Sequence, residues 1–269
     1  DGPELSRPIG ETEFVQGLAA MSASGGYGDT KVAAGIVSYA DLSAGEAITA
    51  VLESHIAASS NRFRGVRNSS CWDENPGIRS YKNPMKGLLG DRKFREGFSA
   101  LDKLGLTFDA WLYHPQLGEL ADLARAFPGV TIVLDHIAGP LGILSYSGKQ
   151  DEVFQVWKAG MNDLATCPNV IIKLGGFGMP LGGFEWHKRE VPPSSEDIAN
   201  VMGPYYRHCI EAFGADRCMF ESNFPVDKVS TSYTVLWNSF KRIAEDYSPT
   251  EKTALFRDTA VRTYRLDIS

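Results

Sequence analysis

The sequence predicts an α/β fold in which parallel strands alternate with helices, and it favours a closed (β/α) barrel. Six short runs rich in apolar, β-branched or aromatic residues are each bounded by turn-forming residues. Segments with helical spacing separate them, and successive runs lie roughly 25–45 residues apart, the size of a strand–helix unit. A doubly wound sheet normally carries a G-x-G-x-x-G turn after its first strand, and no such motif follows any of the runs.

Each predicted strand is short and largely apolar, as expected for a parallel sheet covered by helices. In chain order the six strands are predicted at Lys31–Ser38, Arg62–Asn68, Leu106–Leu112, Thr131–Ile137, Asn169–Gly175 and Cys218–Phe224. Apolar residues recur at i, i+3 and i+4 within residues 117–127, and again from Val153 to Leu164, which predicts helices there. We therefore expect a single domain over residues 1–269.

Composition and charge narrow the class of protein. Hydrophobic residues make up 43% of the chain and charged residues 22%, as in ordinary globular domains. The formal charge of −6 argues against electrostatic binding to nucleic acid or an anionic membrane. No apolar run is long enough to span a membrane, and no signal peptide is visible. The four widely spaced cysteines favour reduced thiols in a cytoplasmic protein over a disulfide framework.

Polar residues gather where the predicted strands end. In a parallel barrel these ends share one face, and that face forms the active site. The second, third, fourth and sixth predicted strands lead into Arg67-Asn68, Tyr113-His114-Pro115, Asp135-His136 and Glu221-Ser222-Asn223. Histidine in this position suits metal binding or proton transfer near neutral pH. We therefore expect His114 and His136 to face each other across a common pocket.

Three segments of the sequence resemble one known family. The runs Phe108–Leu117 (FDAWLYHPQL), Ile132–Gly139 (IVLDHIAG) and Cys218–Lys228 (CMFESNFPVDK) resemble the amidohydrolase-related family of metal-dependent TIM-barrel hydrolases. That family includes sugar lactonases and dicarboxylate lactonases. The resemblance extends from Arg7 to Leu266, and F-x-S-N-F-P-V-D is its most specific part. It implies a (β/α)8 TIM barrel of the amidohydrolase type.

The resemblance also implies a part of the barrel that this sequence lacks. Such barrels begin with a strand ending in His-x-His, which supplies two metal ligands, and no His-x-His occurs in the 269 residues. The six predicted strands fit strands three to eight of that barrel. We therefore expect an N-terminally incomplete domain without strands one and two, which would leave two open sheet edges.

Two histidines are the metal-ligand candidates. By resemblance, His114 matches the fifth-strand histidine of the family, and His136 matches the sixth-strand histidine, a metal ligand or an acid/base. The resemblance implies one divalent metal, zinc or manganese, in the complete protein. The alternative for His114 is a cap on the helix that starts near Gln116, and for His136 a core histidine bonded to backbone.

Asn223 is the main departure from the family pattern. Many relatives carry Asp there, as a metal ligand and as the base that activates water, whereas an amide cannot take up a proton. His136, Asn223 and Asp227 are the predicted catalytic residues, and Glu221 is a further source of a carboxylate. The alternative for Asp227 is the N-cap of a helix.

Three further residues are predicted to contact the substrate. The Arg67 guanidinium suits a carboxylate, which it binds through two hydrogen bonds; the alternative is a salt bridge that closes the barrel. Asn68 stands where relatives often carry His. His187 lies on the long loop after Lys173, which could form a lid, and its alternative is a surface histidine.

The sequence therefore predicts hydrolysis of a small carboxylated lactone, ester or amide by activated water. Two alternatives stay open: a barrel that binds a ligand without catalysis, and decarboxylation or hydration on the same scaffold. The expected partner is a small-molecule substrate, with no nucleic acid and no membrane. A homo-oligomer is also left open.

Overall fold

A single parallel sheet organises the molecule, as the sequence predicts. The computed structural model describes residues 2–78 and 84–267. Within them the strand order is β1-β2-β3-β4-β5-β6, so each strand pairs with its neighbours in sequence. The strands are β1 (Ile36–Tyr39), β2 (Phe63–Ser69), β3 (Thr107–Trp111), β4 (Ile132–Leu134), β5 (Val170–Leu174) and β6 (Cys218–Phe220). Sequential order with helical crossovers is the arrangement of a (β/α) barrel wall.

Helices cover the outer face of this sheet. They are α1 (Ile9–Ala23), α2 (Ile48–Ala58), α3 (Arg92–Leu104), α4 (Leu117–Ala126), α5 (Gln150–Ala165), α6 (Ser195–Phe213), α7 (Tyr233–Ile243), α8 (Pro249–Thr253) and α9 (Thr259–Tyr264). Several begin at a side-chain cap: the Asp91 carboxylate accepts from a backbone N–H of α3, and the Ser194 hydroxyl does so in α6. The two helices predicted from apolar spacing are confirmed as α4 and α5.

All six predicted strands are present, but several of their bounds differ from the prediction. Residues 31–35 form turns and bends, so β1 begins only at Ile36. β4 ends at Leu134 because the backbone then turns, with φ of 54° at His136 and 48° at Ile137. β6 ends at Phe220, and residues 221–224 form a loop. These early ends free polar side chains to turn into the strand-end pocket.

The two faces of the sheet have different chemistry. On β3, Phe108 and Ala110 face outward into the main apolar core beneath the helices, whereas Asp109 belongs to the inner face. On that inner face Val133, Ile171 and Met219 form a small apolar layer, and α9 packs Ala260 and Tyr264 against it. The interior therefore has an apolar layer next to a charged one.

Within residues 2–78 and 84–267, β1 and β6 are the edges of the sheet. The six-stranded arc that the sequence predicts is therefore observed, and closure by two further strands stays a prediction. None of the helices in these ranges is both long and apolar enough to cross a bilayer. The four cysteines are buried and unpaired, as predicted, and burial raises the pKa of Cys71 to about 12.

Candidate active site at the strand ends

His136 lies immediately after β4 in the left-handed backbone region, which turns its ring toward the neighbouring strand ends. Its Nδ1 donates to the Glu221 carboxylate, and its backbone N–H donates to the same oxygen at 3.1 Å. The ring of Trp111 packs edge-on at 4.7 Å. Gly176 has φ of +79°, and a Cβ there would lie 2.5 Å from that of His136, so only glycine fits. The imidazole is therefore held on three sides.

The hydrogen bonds of His136 decide its protonation state. Nη2 of Arg67 lies 3.1 Å from Nε2 of His136. Because a guanidinium is always protonated and can only donate, Nε2 must be the acceptor. The proton of the ring then resides on Nδ1, where Glu221 accepts it. Nε2 of His136 is thus an acceptor whose lone pair faces Arg67, and a general base requires such a lone pair.

Arg67 links this imidazole to a buried carboxylate. Its Nε lies 3.1 Å from Oδ2 of Asp135, whose side chain is fully buried, whereas 42% of the Arg67 side chain is exposed. The guanidinium is therefore anchored at one end and accessible at the other. An exposed, oriented guanidinium can bind an incoming carboxylate.

A half-buried lysine neutralises two buried aspartates near Arg67. Nζ of Lys173 lies 2.6 Å from Oδ2 of Asp109 and 2.9 Å from Oδ1 of Asp135. Tyr264 of α9 donates its hydroxyl to Asp109 at 2.7 Å. Burial opposes charge on Lys173, but the two carboxylates outweigh it and raise the pKa of Lys173 well above its usual value. Burial likewise opposes ionisation of Asp135, and Lys173 and Arg67 hold its pKa below the usual value.

Asn223 and Asp227 form a second pair behind the imidazole. Nδ2 of Asn223, a residue with φ of 51°, donates to Oδ1 of Asp227 at 2.7 Å. Oδ2 of Asp227 accepts the backbone N–H of Gly178 at 3.0 Å. Burial raises the pKa of Asp227 to about 6, and these two hydrogen bonds oppose that rise. The helix cap considered for Asp227 is not observed, since Ser232 caps α7.

The raised pKa of Asp227 makes a pH-dependent contribution to stability. An unfolded aspartate has a pKa of about 3.9, so the folded state binds this proton more tightly. The resulting stabilisation is complete below about pH 4 and is lost as the pH rises through about 6. We therefore expect the wild type to lose stability relative to Asp227→Asn as the pH rises. The difference between their unfolding free energies, wild type minus variant, should fall by about 3 kcal/mol from acid to neutral pH. Urea denaturation across this range measures it, and a constant difference would contradict the assignment.

His114 and His136 have different contacts. His114 is 4% exposed and lines a cleft with Asp73 and Tyr146, whose ring meets it edge-on at 5.3 Å. Burial lowers the pKa of His114 to about 4, and Asp73 only partly opposes this. His136 instead contacts Arg67, Trp111 and Glu221, and a metal shared by the two histidines stays a prediction.

The other predicted substrate contacts are also spread out. Asn68 is buried in β2 and lines a separate cavity of about 260 Å³ with Tyr39 and Asp41. His187 is exposed in a short 3-10 turn, Trp186–Lys188, on the loop after β5. Of the predicted set, the structure brings together Arg67, His136, Asn223 and Asp227. The roles of Asn68 and His187 stay predictions.

Sequence reasoning gave no role to the charged residues beneath the pocket. Asp109, Asp135 and Lys173 pair inside the barrel, and Tyr264 joins them from α9. The two-residue alternation of strands could have predicted that the first three face the interior. Each lies in or next to a buried strand and alternates with core residues that face outward. Tyr264 carried no such signal, because its approach depends on how α9 packs.

The described donor atoms do not fit a divalent metal. Within residues 2–78 and 84–267, no three His, Cys, Asp or Glu side chains come together as a metal site. Both ring nitrogens of His136 are engaged, one by the Arg67 guanidinium. The ammonium of Lys173 already bonds Asp109 and Asp135, where a cation would otherwise be attracted. These residues alone therefore do not form the zinc or manganese site, which stays a prediction for the complete protein.

Comparison with known proteins identifies the family. The amidohydrolase family profile matches residues 30–266. The chain belongs to the amidohydrolase family. All six strands and every pocket residue described above lie inside the matched range of the amidohydrolase. The resemblance seen in the sequence is thus confirmed, and with it the hydrolase class.

Individual relatives agree with this assignment. The amidohydrolase is 36% identical to the Sinorhizobium fredii protein y4mH over 98% of this chain and 78% of that protein. It is 26% identical to an L-fucono-1,5-lactonase of Burkholderia multivorans over 68% of this chain and 59% of the lactonase. A solved Burkholderia multivorans amidohydrolase with bound zinc is 25% identical, with a TM-score of 0.74 over 96% of this chain and 80% of that one. These similarities confirm the predicted amidohydrolase-type barrel.

Proposed function

We propose that this amidohydrolase hydrolyses a small lactone that carries a carboxylate, with His136 as the general base. Support for the lactone comes from the similarity to the fuconolactonase. The observation that carries the proposal is the Glu221–His136–Arg67 arrangement, which leaves an unprotonated Nε2 beside an exposed guanidinium. A base and an anion-binding group in contact are what hydrolysis of such a substrate requires.

Arg67 would bind the carboxylate of the substrate. Its Nε stays paired with Asp135 while its outer nitrogens turn from Nε2 of His136 to the incoming anion. Two charge-assisted hydrogen bonds replace one contact to a neutral imidazole, so the exchange is favourable. Substrate binding then frees Nε2 at the moment when a water molecule can occupy the vacated position.

The chemistry follows from the freed nitrogen. Nε2 of His136 takes a proton from water while the water oxygen attacks the lactone carbonyl carbon. Glu221, which accepts from Nδ1, stabilises the imidazolium that forms. The ring C–O bond then breaks, and Nε2 returns the proton to the departing alkoxide to give a hydroxy acid. Asn223 and Asp227 hold the loop behind the imidazole and do not need to exchange protons in this scheme.

A lactone screen tests the proposal directly. L-fucono-1,5-lactone, γ-carboxy-γ-butyrolactone and the neutral γ-valerolactone can each be followed by the acid that hydrolysis releases. We expect turnover of the carboxylated lactone to exceed that of γ-valerolactone. Equal turnover of the two γ-lactones would contradict the carboxylate, and no turnover of any of the three would contradict the lactone.

Arg67→Met separates binding of the carboxylate from the chemical step. Loss of a charge-assisted contact is worth about 1.5–3 kcal/mol, so KM for γ-carboxy-γ-butyrolactone is expected to rise about 10- to 100-fold. Steady-state kinetics with γ-valerolactone provide the control, because KM for this lactone should change little. Arg125→Met, at an exposed ion pair with Asp163 on the outer helices, is the matched variant. A rise in KM that is equal for both lactones would rule out the assigned contact.

A further inference from the structure

A second cleft lies outside the strand-end pocket and has about 710 Å³ of space. The loop after β2, the turn after β3, the loop after β4 and the start of α5 form its walls. Its described lining residues include neither Arg67 nor any of the groups that contact His136. Nothing in the proposed hydrolysis uses it.

His114 supplies a buried polar group that faces this cleft. The backbone N–H of Leu141 donates to its Nδ1 at 3.4 Å. Because Nδ1 accepts this N–H, the proton of the ring resides on Nε2. Among the hydrogen bonds of residues 2–78 and 84–267, none engages this Nε2–H. The side chain is only 4% exposed yet lines the cleft, so its free donor requires an acceptor from a ligand or from water.

The charge of the cleft is acidic. Asp73, Glu74 and Glu152 line it, against the single ammonium of Lys149 among the described lining residues. The Tyr146 hydroxyl donates to Oδ2 of Asp73 at 2.8 Å, and the backbone N–H of Asn75 donates to Oδ1 at 2.8 Å. These two bonds fix the carboxylate and leave each oxygen able to accept once more.

An apolar surface completes the lining. Val153 and Val156 of α5 and the rings of Pro76 and Pro115 belong to it, and Val156 is 57% exposed. Such a wall can bury the hydrocarbon part of a small molecule. The cleft thus combines a fixed carboxylate, a neutral donor and an apolar wall.

A small apolar cluster contacts both this cleft and the strand-end pocket. Cys71, Ile78, Trp111, Tyr113 and Leu141 form it, with Tyr146 packed against it. Trp111 belongs to this cluster and also contacts His136. The two sites therefore have different lining residues and are linked by one packed cluster.

We propose that this cleft binds a small organic amine with an ammonium group, a neutral hydrogen-bond acceptor and an apolar body. The ammonium pairs with Asp73 and the neighbouring carboxylates. The acceptor takes the Nε2–H of His114, and the body packs on Val153 and Val156. The site is separate from the proposed hydrolytic one and does not depend on it.

Binding of phenylethanolamine tests this proposal, because the molecule has all three features. Isothermal titration at neutral pH and low salt compares it with styrene glycol, in which a hydroxyl replaces the ammonium. We expect phenylethanolamine to bind about tenfold more tightly than styrene glycol, one charge-assisted contact being worth that factor. Equal affinities would overturn the proposal. No lactone is involved, so the outcome is independent of the hydrolase assays.

Variants locate the site. Asp73→Asn removes the charge and keeps one of the two acceptor oxygens, and we expect about tenfold weaker phenylethanolamine binding. Glu152→Gln, on the exposed side of α5, should weaken it to a smaller degree. Asp246→Asn, the same change at an exposed residue outside the cleft lining, is the matched control and should have no effect. Unchanged binding in both cleft variants, or equal weakening in the control, would contradict the site.

His114→Gln tests the acceptor half of the proposal. Wild type should prefer phenylethanolamine over phenethylamine, which lacks the hydroxyl that accepts from Nε2–H. The variant should lose this preference and still bind both amines. Near-ultraviolet circular dichroism checks that the fold around residue 114 is retained. A folded variant that keeps the full preference would overturn the assignment of the donor.

Discussion

Lys173→Met is expected to lower the unfolding free energy by about 3–5 kcal/mol, the usual cost of removing one partner from a buried ion pair. The substitution leaves Asp109 and Asp135 buried inside the barrel, with Tyr264 and Arg67 as their remaining partners. Because methionine fills a similar volume, the decrease in unfolding free energy arises mainly from the lost charge and not from lost packing. Chemical denaturation of the wild type and the variant measures the difference.

Two comparisons isolate the electrostatic origin of that loss. Lys241→Met, on the exposed side of α7, should change the unfolding free energy by less than about 0.5 kcal/mol. In Lys173→Met, Asp109 and Asp135 are left as buried carboxylates without their lysine. Adding Asp109→Asn removes one of these charges. The double variant should therefore be more stable than the sum of the two single changes in unfolding free energy predicts. Additive effects would show that Lys173 and Asp109 do not act as a pair.

His136→Gln is expected to reduce kcat for the carboxylated lactone by about 10²- to 10⁴-fold, the range typical of a lost general base. Glutamine can still accept from Arg67 and donate to Glu221, but it cannot carry a proton between water and the leaving alkoxide. KM should change little, because Arg67 and its Asp135 anchor are retained. Steady-state kinetics at neutral pH separate the two parameters.

His208→Gln is the matched control for this substitution. His208 lies on α6 and packs against Trp157, among the outer helices. Its replacement should leave kcat within a factor of about two, since a residue that touches no reacting atom supplies no transition-state interaction. A comparable loss of kcat in both variants would point to a general effect on the fold, and the role of His136 would then be wrong.

The sheet could be predicted from sequence because its signal is local. Six apolar runs between turn residues located β1 to β6, and apolar spacing located α4 and α5. The ends of the strands were harder to predict: β4 stops at Leu134 since the next residues adopt positive φ, which non-glycine side chains rarely favour. Only the surrounding tertiary contacts hold the backbone in that conformation.

The site could be predicted only in part. Their position at the ends of predicted strands identified four candidates that the structure brings together: Arg67, His136, Asn223 and Asp227. The same reasoning placed His114 in that pocket, and this stays a prediction: β3 ends at Trp111, so the two-residue alternation of a strand does not extend to residue 114. His136 breaks this alternation because its positive φ swings the ring inward. Local pattern does not encode such a turn.

The ionic network shows a further limit of sequence reasoning. Lys173 lies in β5, Asp109 lies in β3 and Asp135 directly follows β4, whereas Tyr264 comes from the last helix. Each is unremarkable in its own segment, since charged residues near strand ends are common. Their pairing depends on the register between strands and on the packing of α9, which only the folded chain defines.

The protonation of the His136 ring tests the central claim most directly. Nitrogen-15 NMR of protein labelled at its five histidines, with His136→Gln to assign the signals, reports which ring nitrogen carries the proton. The arrangement with Glu221 and Arg67 predicts a protonated Nδ1 and an unprotonated Nε2 at neutral pH. A protonated Nε2 on a neutral ring would contradict it, because His136 could then neither accept from Arg67 nor take a proton from water.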